Sequence, residues 1–177
     1  MTISDEHIIT AIERNPELGF RLLMRQYKEP VYWHIRRLVV SHADAQDASQ
    51  NAFLRIFRSF NQFNKSHSFR AWIYKIATNE ALRIINSHTD MMSLEQDGVA
   101  LMQMKSDEYI DYGQALSVLL QQAILSLPYK QQLAFNMRYF DDMTYEQIAE
   151  AVNSNVAAVK MNYHLAKEKI IKYMKSE

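Results

Sequence analysis

Apolar residues recur along the chain at spacings of three and four, and runs of β-branched alternation are absent. That periodicity predicts helices throughout. Asn15-Pro16-Glu17 reads as a helix start: a capping side chain, proline in the first turn and an acid at the positive dipole end. Pro30 is expected to break or restart a helix after Glu29. After Asp44, the residues Phe53, Ile56, Phe57 and Phe60 form one apolar stripe. Beyond a polar loop, Phe69, Trp72, Ile73, Ile76 and Ala77 form another, and Pro128 opens a later helix. Residues 87–114 carry dispersed acids, Gly98, Gly113 and no steady period, and read as a linker. Its apolar members, among them Met91, Met92, Leu94, Leu101, Met102 and Met104, suggest docking or a short helix.

The sharpest local pattern lies near the C-terminus. Thr144-Tyr145-Glu146-Gln147 is a capping box before an apolar helix whose Ile148, Ala149 and Val152 face inward. Asn153 stands where the chain needs a left-handed residue, and Asn155 can cap the next helix. That helix buries Val156, Val159, Tyr163, Ala166, Ile170 and Met174. Its other face offers Asn155, Ala157, Ala158, Lys160, Met161, Asn162, His164 and Lys167. Small and polar residues at a helix start, followed by lysines, suit a major groove, so the segment reads as a DNA-binding helix-turn-helix. A plain helical hairpin is the bland alternative.

In the N-terminal half, the polar loop carries Phe63, Lys65, Ser66, His67 and Ser68, and the following helix carries Arg70, Lys75, Asn79 and Arg83. Such a loop can hold an unstacked base, and cations at that spacing can track a phosphate backbone. Phe69 and Trp72 read better as core; for residues 65–68 both readings stay open.

Composition narrows the field. The chain has 177 residues, 48% hydrophobic, with three glycines, three prolines and no cysteine. Disulfide scaffolds, zinc ribbons, thiol catalysis and glycine-rich phosphate loops are excluded. The N-terminus carries early acids and no apolar signal core, and no apolar run reaches membrane-span length, so a cytoplasmic chain without membrane insertion is expected. The six histidines show no metal-ligand spacing and read as surface or loop residues; no metal, cofactor or catalytic residue is expected, and the chain reads as no enzyme.

Net charge is zero, but unevenly so. Residues 1–86 hold 12 basic and 8 acidic residues, residues 87–114 hold 1 and 6, and residues 115–177 hold 7 and 6. Two mildly basic lobes thus flank an acidic connector. A chain this neutral should hold DNA weakly alone, and tight binding would need both lobes placed together.

Three ordered motifs resemble a known family. The run from Asp44 to Phe57, with Asp47, Gln50, Asn51, Leu54 and Arg55, resembles the core-polymerase-binding helix of bacterial sigma factors. Residues 68–79 resemble the promoter-melting segment of the extracytoplasmic-function (ECF) group of the sigma-70 family. Leu127-Pro128, Tyr145 to Glu150 and Val159-Lys160 resemble that group's C-terminal domain.

The resemblance implies an all-α chain of two small helical domains joined by a flexible acidic linker, the C-terminal one a helix-turn-helix. The expected bounds are 1–87, 88–113 and 114–177. It further implies core RNA polymerase bound through Asp44, Asp47, Gln50, Asn51, Leu54 and Arg55. The minus-ten element would be opened by Phe63, Lys65, Ser66, His67, Ser68, Arg70, Lys75, Asn79 and Arg83. The minus-thirty-five element would be read by Asn155, Ala157, Ala158, Lys160, Met161, Asn162, His164 and Lys167. An anti-sigma factor is the further expected partner. Asn51, Asn162 and Leu165 depart from the family pattern. The rival is a stand-alone helix-turn-helix regulator, which has no need for the Asp44–Phe57 helix.

Overall fold

A computed structural model describes residues 2–92 and 115–176. The described residues form helices α1 (Asp5–Arg14), α2 (Pro16–Val39), α3 (His42–Ser59), a 3₁₀ turn at Phe60–Gln62, and α4 (Phe69–Met92). These make the first lobe. The second comprises α5 (Ala115–Leu125), α6 (Tyr129–Tyr139), α7 (Tyr145–Ala151) and α8 (Val156–Ser176).

Local chemistry sets most helix starts. The side chains of Ser4, Asn15 and Ser41 accept from the backbone N–H groups of His7, Leu18 and Asp44, at 3.3, 3.2 and 3.3 Å. They satisfy donors that a helix start leaves orphaned. Pro16 occupies the first turn of α2, as the sequence predicts. Pro30 does not break the helix: α2 runs unbroken from Pro16 to Val39. Proline forfeits a backbone hydrogen bond. Here Tyr27, Val31, His34 and Ile35 are buried on both sides of it, and their packing outweighs that loss.

Helix α3 buries Ala45, Ala48, Ser49 and Ala52, small residues that let neighbouring helices approach closely. Helix α4 buries more than one stripe: Phe69, Ala71, Ile73, Tyr74, Ile76, Ala77, Thr78, Glu80 and Ala81 are all inside. A helix apolar on more than one face is covered on more than one side. Helices α2 and α3 pack on one side of it, and α7 of the second lobe packs on another.

That covering joins the lobes. One core runs from Ile8, Leu23, Ile35 and Tyr74 of the first lobe to Leu133, Met137, Met143, Ile148 and Val159 of the second. A smaller core, with Ala123, Ile124, Leu127, Phe135, Ala166 and Ile170, holds α5, α6 and α8 together. Helix α4 extends to Met92, beyond residue 87, where the first domain was expected to end. Positions 93–113 of the expected linker, and the apolar residues Leu94 to Met104 within it, lie outside the described residues.

Candidate nucleic-acid interface

The helix-turn-helix forms as its sequence dictates. Thr144 Oγ1 accepts from the Gln147 N–H at 3.1 Å, and Gln147 Oε1 accepts from the Thr144 N–H at 3.0 Å. Asn153 takes φ 53°, the left-handed turn expected of it. The Asn155 side chain accepts from the Ala158 N–H at 2.8 Å and starts α8. Val159, Ala166 and Ile170 are buried, while Val156, Tyr163 and Met174 are only partly so. Asn155, Ala157, Lys160, Met161, His164 and Lys167 are exposed, with Ala158 and Asn162 part-covered beside them. Met161 is 58% exposed and stands on the same open face. Lys160 lies over the Tyr145 ring at 5.6 Å and Lys167 over Tyr163 at 5.5 Å, so aromatic faces orient both ammonium groups.

On the first lobe, Lys75, Asn79 and Arg83 form an exposed stripe along α4. Lys75 and Asn79 line a cleft of about 260 Å³ between the lobes, faced by Lys130, Asn153, Ser154 and Asn162. In the loop, Lys65, Ser66 and His67 are exposed. Asn64 Oδ1 accepts from both the N–H and the hydroxyl of Ser66, at 3.0 and 2.8 Å, which fixes the turn. Lys65 pairs with Glu13 of α1. Phe63 is half-buried, its ring 5.1 Å from Phe69 and 5.2 Å from Trp72.

The candidate polymerase face lies on α3. Asp47, Gln50, Asn51, Leu54 and Arg55 are exposed on one side of that helix, and Asp44 is part-covered. Leu54 and Phe57 are 47% and 53% exposed, so the apolar stripe of α3 continues onto its open face at Phe57. Two of the charged groups are engaged internally. Asp44 meets His88 Nε2 at 2.8 Å, and Arg55 meets the buried Glu80 at 3.1 Å. Arg83 approaches the other oxygen of Glu80 at 3.5 Å, so one buried carboxylate orients cations of both candidate surfaces.

The structure adds a cluster that sequence reasoning missed. Asp141, in the turn between α6 and α7, projects into the first lobe with its side chain only 4% exposed. Its Oδ2 meets His34 Nδ1 at 3.1 Å, and its Oδ1 accepts from Arg37 at 3.3 Å and from the Tyr74 hydroxyl at 3.5 Å. Its backbone carbonyl accepts from Arg70. His34, expected at the surface, is fully buried, with Nε2 2.8 Å from Thr78 Oγ1. A carboxylate only accepts, so Nδ1 of His34 carries the proton. Nearby, Glu150 of α7 accepts from the Ser68 N–H at 2.9 Å. Ser68 and Arg70, two of the expected minus-ten contacts, are therefore both engaged by the second lobe. Burial, then the neighbouring Asp141 charge, push the Tyr74 hydroxyl well above the usual tyrosine range. Burial alone does the same to Tyr129. No local motif announces Asp141; only its distant partners give it meaning.

Residues 23–90 match the family description "Sigma-70 region 2", and residues 117–170 match "Sigma-70, region 4". The chain is 26% identical over 178 residues to the ECF RNA polymerase sigma-E factor of Escherichia coli K12, covering 95% of this chain and 93% of that one. The chain belongs to the ECF group of sigma-70 factors.

The two matched regions of this sigma factor fall on the two lobes, region 2 on α2 to α4 and region 4 on α5 to α8. In fold it is similar to CnrH, solved in complex with the cytosolic domain of CnrY (TM-score 0.72, 15% identity, 98% of each chain). It is also similar to RpoE of Bartonella quintana, solved with the anti-sigma factor NepR (TM-score 0.70, 16% identity, 88% of this chain and 96% of that one). Among the described residues, no three His, Asp or Glu side chains gather to hold a metal, and no helix is long and apolar enough to cross a membrane.

Proposed function

We propose that this chain is an alternative sigma subunit that binds core RNA polymerase in the cytoplasm and directs promoter-specific initiation, catalysing no reaction itself. The carrying observation is the ordered match to regions 2 and 4 together with an α8 face left exposed from Asn155 to Lys167. The α3 face around Asp47, Gln50, Asn51 and Leu54 contacts the polymerase. The loop from Phe63 to Ser68, with Asn79 and Arg83, opens the minus-ten element. Helix α8 enters the major groove of the minus-thirty-five element, where Ala158 and Met161 suit thymine methyls and Asn162 suits adenine. The domain bounds 1–87, 88–113 and 114–177 remain part of this proposal.

An anti-sigma factor is the further proposed partner, supported by the fold shared with a sigma factor solved beside one. The stand-alone regulator is disfavoured by the exposed Leu54 and Phe57 on α3, which such a protein has no use for. Reconstitution with core polymerase tests the proposal. The purified chain should bind core enzyme and start transcription from a genomic promoter; neither result on any promoter would sink it. Alanines at residues 65–68 should impair promoter opening more than core binding, and equal loss of both would overturn the division of labour.

A further inference from the structure

The side chains that Asp141 occupies all come from α2 and α4 of the first lobe: Arg37 and His34 from one helix, Tyr74 from the other, with Arg70 on its carbonyl. All four groups are donors: three converge on the carboxylate, and Arg70 holds the adjoining backbone carbonyl. A carboxylate this deep is tolerated only because several donors surround it. The converse also holds. When the second lobe leaves, His34 and Tyr74 lose their anion and Arg37 loses both its carboxylate and the Phe140 ring stacked 4.3 Å beneath it. Guanidinium forks favour anions with two oxygens at carboxylate or phosphate geometry. Glu150 repeats the pattern, placing a second carboxylate on the Ser68 N–H, where α4 begins.

We propose that Asp141 is an intramolecular surrogate for a DNA phosphate, and that Arg37, Arg70, His34 and Tyr74 form a phosphodiester-binding site exposed when the lobes part. The proposal rests on the reading that this lobe meets single-stranded promoter DNA, and it extends that reading to Arg37, His34 and Tyr74. The free chain then masks its own DNA site with an anion matched to it. Polymerase, by holding the lobes apart, would free the site at the moment DNA arrives. The masking is competitive: carboxylate and phosphate cannot occupy the same donors.

The test uses the full chain and a labelled, mixed-sequence single-stranded DNA 12-mer, so no promoter need be known. Asp141→Asn keeps the shape and removes the charge. It should bind the 12-mer several-fold tighter than wild type, because apparent affinity scales with the fraction of chain that is open. A second route opens the lobes independently. Ala151 is buried in the wall of the cleft that Lys75 and Asn79 share, and Ala151→Arg adds bulk and like charge there. Small-angle scattering reports the opening as a larger radius of gyration.

In that opened background, Arg37→Gln should weaken binding. It should also reduce the slope of log affinity against log salt by about 0.7, the value for one phosphate of a single strand. An Asp141→Asn chain no tighter than wild type overturns the surrogate. An opened chain whose affinity and salt slope ignore Arg37→Gln overturns the phosphate site and leaves a purely structural clasp. Transcription by the wild-type chain with core polymerase is scored separately. Its failure would sink the sigma reading, while the 12-mer ratios would still decide this one.

Discussion

Gly19 sets two rules of helix design against each other. It lies within α2, close to the corner where α1 ends and α2 begins. By propensity alone, Gly19→Ala should stabilise the chain by roughly 1 kcal/mol. The packing says otherwise. A Cβ at this position would stand 2.2 Å from the backbone nitrogen of Ile12, 2.3 Å from its Cα and 2.5 Å from its Cγ1. Ordinary contact begins near 3.4 Å, so α1 must retreat by more than 1 Å. No rotamer relieves a clash with backbone.

Overpacking of this kind costs about 1–3 kcal/mol. Retreat also loosens Ile8 and Ile12, both buried, each side chain contributing roughly 1.5–3 kcal/mol when fully inside. Partial loss of these outweighs the propensity gain and leaves a net destabilisation of about 2 kcal/mol. For a chain of this size that lowers the melting temperature by roughly 4–8 °C. Thermal and urea melts followed by circular dichroism at 222 nm would measure it.

Function should change with it, because α1 carries Glu13, which pairs with Lys65 in the loop, and Asp5, which accepts from the Tyr27 hydroxyl at 2.6 Å. A Gly19→Ala chain as stable as wild type would refute the reasoning. The double variant Gly19→Ala with Ile12→Ala sharpens it. Truncating Ile12 removes Cγ1 but not the nitrogen or Cα, so the two losses should add. Recovery in the double variant would show that a side chain, and not backbone, was the obstacle.

Three further outcomes are expected. Leu54→Arg should leave the melting temperature within a degree or two of wild type, since the side chain is exposed. Binding to core polymerase, measured by gel filtration or fluorescence anisotropy, should fall at least about tenfold if Leu54 is an interface anchor; unchanged binding would remove α3 from the polymerase contact. Lys160→Ala should reduce the salt slope of duplex binding by about 0.9, the signature of one lost phosphate contact; an unchanged slope would place α8 elsewhere. Burial first, and for Tyr27 the Asp5 hydrogen bond next, holds the hydroxyls of Tyr27, Tyr74 and Tyr129 above the usual value near 10. Their folded-state values are raised, so their contribution to stability is intact below pH 10 and is lost as pH climbs past it. Melts from pH 8 to 11 should therefore show stability falling from about pH 10. Absorbance at 295 nm should show these tyrosines ionising only as the chain unfolds, and early, complete ionisation in folded protein would contradict their burial.

The surfaces proposed for DNA and polymerase were legible because each rests on one helix. Lys75, Asn79 and Arg83 share a face by spacing alone, as do Asp47, Gln50, Asn51 and Leu54. What the second lobe does to the first was not legible. The hydrogen bond from His34 to Asp141 spans 107 positions, and nothing local to either residue reports the other. His34 therefore reads locally as a surface histidine, although it is fully buried.

Residue order alone dictates the helices, their caps and the helix-turn-helix, because a capping side chain reaches only three residues along and an apolar stripe repeats within one helix. It also dictates the split of a neutral total into two basic lobes and an acidic connector. Three features come from packing in three dimensions. Helix α2 runs through Pro30, α4 is covered by helices of both lobes, and the second lobe lays Asp141 and Glu150 on donors of the first. The reason is physical. Caps and periodicity are set by neighbours in the chain, whereas continuity through a proline and burial of a charge are settled by the free energy of packing against residues far away in sequence.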